Sequence, residues 1–134
     1  NVLMERIRKK YICKNQIRKG TGGVRELLRL YKKGYSIALM IDQRVSQGIK
    51  SKFFDEDAFT TTIPAQFIKK FNCRVVPISI ERNNGINFSI KVEKPLEFSK
   101  NCSTEKITRD LNIWLEKIIL KNPGEWIWSH NRWK

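Results

Sequence analysis

Two β-branched runs around an Asn-Gly pair constrain the fold of this chain more than any other feature. Residues 74–80 are rich in valine and isoleucine, Asn84-Gly85 follows, and residues 86–92 then place an apolar side chain at every second position. An Asn-Gly pair readily adopts the positive φ angles of a tight hairpin turn, and alternation with a period of two is typical of a half-buried strand. The sequence therefore predicts an antiparallel hairpin over residues 75–92.

Other segments carry helical periodicity. The clearest is residues 103–120, with Ser103 or Thr104 as a cap and Asn122-Pro123-Gly124 as a stop. One face of that helix holds Ile107, Leu111, Trp114, Leu115 and Ile118. Shorter helices are predicted over residues 3–12, 24–33 and 64–71, the second entered through a glycine loop and ended at Gly34. Helices interspersed with strands predict an α/β fold with a mixed sheet flanked by helices, built as a single domain over residues 1–134.

A short apolar run over residues 36–41 reads as a buried strand, followed by a loop over residues 42–52. Ligands of α/β folds gather beyond the carboxyl ends of strands. Asp42 is therefore a candidate site residue, with Gln43 and Arg44 beside it. The alternative is an ordinary loop aspartate. Phe53 and Phe54 close the loop, either as an apolar wall for a ligand or as core residues.

The chain carries 27 basic and 13 acidic side chains, for a net charge of +14. Residues 1–34 hold eleven of the basic residues against Glu5 and Glu26, so +9 of the excess lies there. Such a charge attracts nucleic acid, anionic lipid headgroups or an acidic protein. A solvated basic surface without a partner is the other interpretation.

The cysteines and the single histidine provide no familiar catalytic or metal motif. Cys13, Cys73 and Cys102 form no Cys-x-x-Cys pair, so buried free thiols in a reducing compartment are expected, and neither a metal nor a cofactor. The C-terminal segment 124–134 interleaves tryptophans with bases, including Arg132 and Lys134. It could stack nucleobases, lie at a membrane interface or pack on the core. A basic nucleic-acid-binding module using this segment is the competing function.

Three ordered stretches resemble one enzyme family over essentially the whole chain. They are "GGVRELLRLYKKGYSIALMIDQ", "FFDEDAFTTTIPAQFIKKFNCRVVPISI" and "LEKIILKNPGEWIWSHNRWK". Their motifs and spacing resemble the bacterial lipid A biosynthesis acyltransferases, the lauroyl/myristoyl transferase family. The resemblance implies a glycerolphosphate-acyltransferase-like fold. It also implies transfer of a fatty acyl chain from acyl carrier protein to a hydroxyl of a phosphorylated lipid A precursor, at the anionic cytoplasmic face of the bacterial inner membrane.

The family's catalytic signature, His-x-x-x-x-Asp/Glu, is not present in the sequence, since His130 would need its acid at position 135. The resemblance therefore implies the C-terminal portion of an acyltransferase domain, inactive by itself. The N-terminal half would hold the His–acid pair, some central strands and the membrane anchor, unless the protein is peripheral.

By the same resemblance, Asp42 and Arg6 are expected in the catalytic site. Arg6 and Arg8 remain interchangeable for the site's arginine. Substrate binding is expected at Arg8, Arg25, Gln43, Phe53, Phe54 and Thr61. Where this chain has Asp55 the family usually has glycine, and aspartate tolerates the left-handed conformation that such a turn needs.

Overall fold

A computed structural model describes residues 2–17 and 20–133, so Lys134 of the basic C-terminal segment lies outside the described residues. In the described part the fold is α/β, with four α-helices and two small antiparallel sheets. The chain divides into two compact units, residues 1–39 and 40–134. Within residues 2–17 and 20–133, none of the helices combines the length and the hydrophobicity of a membrane-spanning segment.

The first unit contains two helices, α1 (Val2–Tyr11) and α2 (Thr21–Lys32). Both lie close to their predicted positions. Gly34 follows α2 with φ +86°, the left-handed conformation that glycine adopts without penalty at a helix end. Of the glycines expected in the entry loop, Gly20 precedes α2, whereas Gly22 and Gly23 lie within its first turn.

The second unit begins with a hairpin that the sequence did not predict. Strands β1 (Ile49–Phe53) and β2 (Glu56–Thr60) pair through a two-residue turn, so the predicted loop over 42–52 is wrong beyond residue 48. The turn residues Phe54 and Asp55 have φ values of 51° and 60°. Two positive φ values are what a type I′ turn requires, and Asn-Gly usually provides them. Asp55 thus adopts the conformation expected of the family's glycine.

Helix α3 (Ile63–Phe71) begins with Pro64 in its first turn, as predicted. Strands β3 (Ile78–Asn84) and β4 (Asn87–Val92) form the predicted hairpin. Its two-residue turn is Gly85-Ile86 and not Asn84-Gly85, because Asn84 ends β3 and pairs with Asn87; of the two turn residues Gly85 has a positive φ, 55°. The expectation that β4 is half-buried is wrong, since all six of its residues are exposed. The physical reason is that Phe88, Ile90 and Val92 belong to neither hydrophobic cluster of the described residues. Arg82 lies over the Phe88 ring at 4.4 Å, and all three apolar side chains stay more than half exposed.

The predicted strand over residues 36–41 does not form. This segment has no regular structure, and Leu39 and Met40 are exposed. Each described sheet has two strands, β1–β2 and β3–β4, so no described strand pairs with it. An apolar run becomes a strand only when a neighbour takes up its backbone hydrogen bonds.

Helix α4 (Thr104–Lys121) organises the core of the second unit, and the Ser103 hydroxyl caps it by accepting from the Lys106 N–H. Its N-terminal half packs Ile107 and Leu111 against Ala65 and Ile68 of α3. Its C-terminal half packs Leu115 and Ile119 against the β1–β2 hairpin. Two short 3₁₀ turns follow, Pro123–Glu125 and Trp128–His130. Among the cysteines, Cys13 is exposed, contrary to the expectation of buried thiols; Cys73 and Cys102 are half-buried, and all three are free.

Candidate functional site

The three arginines expected in the site lie in the first unit. Arg6 and Arg8 lie on α1 and Arg25 lies on α2, and all three are exposed. Side chains of this kind are free to meet a charged ligand or partner. Their place in the site stays a prediction.

Asp42 lies in the second unit, directly after the irregular segment that ends at Ile41. The residue is half-buried, yet its Oδ1 atom is fully buried and accepts no hydrogen bond within the described ranges. A buried carboxylate oxygen without a partner is unusual, because such groups normally form hydrogen bonds. The neighbouring Gln43 is exposed.

The Phe pair lies at the β1–β2 turn and is part of an aromatic cluster. Phe53 is fully buried, and its ring contacts those of Phe54, Trp126 and Trp133 at centroid distances of 4.8, 6.1 and 5.5 Å. Trp128 contacts Phe54 at 5.8 Å and remains 47% exposed. We call these five residues the aromatic cluster. Its tryptophans show that the C-terminal segment packs on the core, one of the three interpretations of the sequence.

A network of hydrogen bonds fixes the turn that carries the Phe pair. The backbone N–H of Phe54 donates to Glu116 Oε1 at 3.0 Å. Arg109 Nη1 donates to the same carboxylate oxygen at 2.8 Å and to the Lys52 carbonyl at 2.8 Å. Asn112, one turn along α4, donates to the Lys52 carbonyl at 3.0 Å. Side chains of α4 thus hold the turn end of the hairpin, where the two phenylalanines lie, through hydrogen bonds.

Arg132 is the most buried charged residue of the described chain, with 1% of its surface exposed. Its Nη2 donates to Asn112 Oδ1 at 2.8 Å and to Thr60 Oγ1 at 3.2 Å. Its guanidinium carbon lies 4.1 Å from the ring centroid of Phe53, a cation–π distance. Its Nε and Nη1 atoms donate to no partner in residues 2–17 and 20–133.

The charge of Arg132 is set by burial and by two carboxylates. Burial lowers the pKa of Arg132 to about 10, and the negative charges of Asp42 and Glu116 act in the opposite direction. Arg132 therefore stays a cation at neutral pH in the interior of the second unit. Asp42 and Arg132, ninety positions apart in the sequence, form no ion pair in the described part of the chain, so the carboxylate acts on the pKa of Arg132 only through its charge.

Arg132, Asn112 and Thr60 are joined by hydrogen bonds, and we call them the polar cluster. Its threonine is Thr60 and not the expected Thr61. Thr60 Oγ1 accepts from Asn112 at 3.2 Å as well as from Arg132, and donates to the Ala58 carbonyl at 3.1 Å. The Thr61 hydroxyl instead accepts from the Ile63 N–H at 3.3 Å, at the start of α3. In the sequence, Arg132 stands out only as a base in a tryptophan-rich segment. Polar Asn131 precedes it and Trp133 follows it, so no local pattern signals its burial.

Comparison with known families agrees with the resemblance in the sequence. The model of the family "Bacterial lipid A biosynthesis acyltransferase" matches residues 4–134, and the chain belongs to that family. No curated protein matches the chain. The family is one of acyltransferases that act in lipid A synthesis, with an acyl donor and a lipid A-type acceptor.

Proposed function

We propose that this member of the lipid A acyltransferase family transfers a fatty acyl chain from acyl carrier protein to a hydroxyl group of a phosphorylated lipid A precursor. The observation that carries the proposal is the Asp42 carboxylate, with one oxygen buried and unpartnered within the described residues. Although Oδ1 is closed to solvent, the residue as a whole is half-buried, so its carboxylate can accept a hydrogen bond from a substrate hydroxyl or from the catalytic base on its exposed side. Asp42 would thereby orient the acceptor for attack on the acyl thioester.

The proton of the acceptor hydroxyl needs a base. The only histidine of the sequence is His130, which lies exposed in the last 3₁₀ turn and, by the resemblance, matches a histidine of the family's C-terminal tail and not the catalytic base. We therefore assign the base to a His-x-x-x-x-Asp/Glu segment of the full-length protein outside these 134 residues. A histidine is suited to this step, because its ordinary pKa is close to physiological pH.

The charge of the chain fits the proposed partners. Acyl carrier proteins are acidic, and the lipid acceptor carries phosphate groups. The first 34 positions hold eleven Lys and Arg residues. Among the described ones, the exposed Arg6, Arg8 and Arg25 present positive charge to either partner. The same charge favours binding to the anionic cytoplasmic face of the inner membrane. Each basic residue near such a surface contributes about 1 kcal/mol to the free energy of binding.

Part of the aromatic cluster is suited to contact the acyl chain of the substrate. Phe53 is fully buried and serves the core, whereas Phe54 is half-buried and Trp128 is exposed over 47% of its surface. These two rings lie in contact with each other. We assign them to the apolar surface that the acyl chain meets.

The proposal is tested with the full-length protein carrying Asp42→Asn, which keeps the size of the side chain and removes its charge. Acyl transfer is measured with acyl-loaded acyl carrier protein and a phosphorylated lipid A precursor, and the acylated product is identified by mass spectrometry. We expect a loss of about 100-fold or more in kcat. Asp57→Asn is the matched control, since Asp57 is half exposed and pairs with Lys52 on the surface. Undiminished transfer by a folded Asp42→Asn protein would remove Asp42 from the site.

A further inference from the structure

A cleft of about 350 Å³ lies at the C-terminal end of helix α3, wholly within the second unit. One side is formed by the last turn of α3 and the residue that follows it, and the other by residues 98–100, which precede α4. Ligand sites in proteins occupy about 300–1,000 Å³, so this cleft is at the lower limit of that range. A site of this size admits part of a partner and not a whole lipid.

The interior of the cleft is apolar, and the core holds it in place. Ile68 is 8% exposed and belongs to the hydrophobic cluster between α3 and α4, against which Phe98 also packs. The ring of Phe71 lies 5.5 Å from the ring of the buried Phe67. Both phenylalanines that line the cleft are half-buried, so each keeps part of its surface for another apolar group. The cleft is therefore formed before a partner binds, which lowers the entropic cost of binding.

Three lysines and no acid are among the described residues that line the cleft. Lys69 and Lys70 belong to the last turn of α3. Lys100 lies in a turn in which the Cys102 N–H donates to the Ser99 carbonyl at 2.9 Å. All three lysines are exposed, and none of them forms an ion pair with a described residue. Three cations at the edge of an apolar interior are thus available to an acidic partner.

The chemistry of the cleft favours an acidic protein over other anionic partners. A phosphate group is held most specifically by arginine or by the free N–H groups of a helix N-terminus. Here no arginine is among the described lining residues, and the adjoining end of α3 is a C-terminus, whose free backbone groups are carbonyls. A bilayer presents a broad, flat surface, whereas this site is small and concave. Separate lysines around apolar rings match separate carboxylates around an apolar side chain.

We infer that this cleft docks an acidic protein segment, which presents carboxylates to the three lysines and an apolar side chain to Phe71 and Phe98. Under the proposed function, on which this inference rests, that partner is the acyl carrier protein, the acidic donor of the acyl chain. Charges at the edge of an interface mainly guide association and select the partner. The cleft therefore acts on recognition of the donor and not on the transfer step.

Steady-state kinetics of the full-length protein carrying Lys70→Glu and Lys100→Glu together test this inference. Reversing two exposed charges turns attraction into repulsion, so KM for acyl-loaded acyl carrier protein should rise about tenfold or more. KM for the lipid acceptor should stay within about twofold. The rise should shrink as the salt concentration increases, because salt screens exposed charges. Lys70→Gln with Lys100→Gln, which removes the charges without reversing them, should raise KM for the donor by a smaller factor.

Lys117→Glu with Lys121→Glu is the matched control. Both lysines are exposed on α4 and form no ion pair with a described residue, and Lys121, like Lys70, lies in the last turn of its helix. This control should change KM for the donor by no more than about twofold.

Equal effects of the two charge-reversed pairs would show that only net charge matters and would overturn the inference. A rise in KM confined to the lipid acceptor would overturn it as well, since the cleft would then bind the acceptor. In both cases transfer from acyl carrier protein by the unmodified protein leaves the proposed function intact. If the unmodified protein takes no acyl group from acyl carrier protein, the proposed function fails and the docking site fails with it. Should the charge-reversed protein not fold, the glutamine pair decides by the same comparison.

Discussion

Trp133 donates its indole N–H to the backbone carbonyl of Phe53 over 3.0 Å, joining the end of the chain to strand β1 across 80 positions. The two rings also pack together, with centroids 5.5 Å apart. This contact closes the aromatic cluster over the β1–β2 hairpin. It also fixes the residue next to Arg132, so the stability of the C-terminal segment and the geometry of the polar cluster are linked.

Replacing Trp133 by phenylalanine keeps an aromatic ring and removes the donor to the Phe53 carbonyl. We expect the free energy of unfolding to fall by about 1–3 kcal/mol, because a partly buried carbonyl loses its partner and the smaller ring packs less well. Urea unfolding followed by circular dichroism measures this change.

Trp128→Phe is the control for this prediction. The indole of Trp128 donates to the Pro123 carbonyl at an exposed position only five residues away, so its loss should change stability by no more than about 0.5 kcal/mol. Equal effects of the two substitutions would show that the long-range bond from Trp133 contributes nothing of its own.

The elements that the sequence predicted are those specified by local signals. The β3–β4 hairpin has Gly85 in its turn, directly after Asn84, and α4 has a serine cap and a Pro-Gly stop. These signals lie within a few residues of the structure they determine. Helix α3 follows the same rule, with Pro64 in its first turn.

The errors arose where structure depends on distant partners. Residues 36–41 are apolar enough for a strand, but none of the described strands pairs with them. The β1–β2 hairpin was missed because its turn is Phe54-Asp55, a pair that favours positive φ far less than Asn-Gly does. Contacts with α4 and the C-terminal segment stabilise that turn, and no short-range sequence pattern indicates these contacts.

In the candidate site, too, local sequence signals are visible from the sequence and contacts between distant residues are not. Asp42 is selected from the sequence because it directly follows an apolar run, and its place in the site stays a prediction. Arg132 and Thr60 were not selected, because their proximity to each other and to Asn112 is created by folding over 72 and 20 positions. No spacing rule in a single sequence detects a cluster of this kind.

Asp55→Gly is expected to stabilise the protein. Asp55 has φ 60°, where glycine has no steric penalty and aspartate retains a small one. The expected gain in the free energy of unfolding is about 0.5 kcal/mol, reduced from a larger folded-state gain by the greater freedom of glycine in the unfolded chain. Thermal and urea unfolding both measure this gain.

Asp57→Gly, two residues along in strand β2, should lower the free energy of unfolding, because it places glycine inside a strand and removes the ion pair with Lys52. Destabilisation by both substitutions would contradict the favourable fit of glycine at the turn.

Ser103→Ala removes two interactions at the start of α4, and only one of them depends on pH. The Ser103 hydroxyl accepts from the Lys106 N–H at 3.1 Å, a helix cap whose loss lowers the free energy of unfolding by about 1 kcal/mol at any pH. The pKa of Glu105 is lowered from its ordinary value of 4.5, first by its own backbone N–H and next by the Ser103 hydroxyl.

A carboxyl group whose pKa is lowered by folding adds stability above its ordinary pKa and loses that contribution as the pH falls through the lowered value. Ser103→Ala takes away part of this contribution, so its destabilisation should be largest at neutral pH and should shrink as the pH falls below 4.5. Urea unfolding of both proteins between about pH 3 and pH 7 measures the difference. In a Glu105→Gln background the effect of Ser103→Ala should no longer vary with pH, since the titrating group is gone. A difference that grows toward acid pH would show that the hydroxyl does not stabilise the ionised form of Glu105.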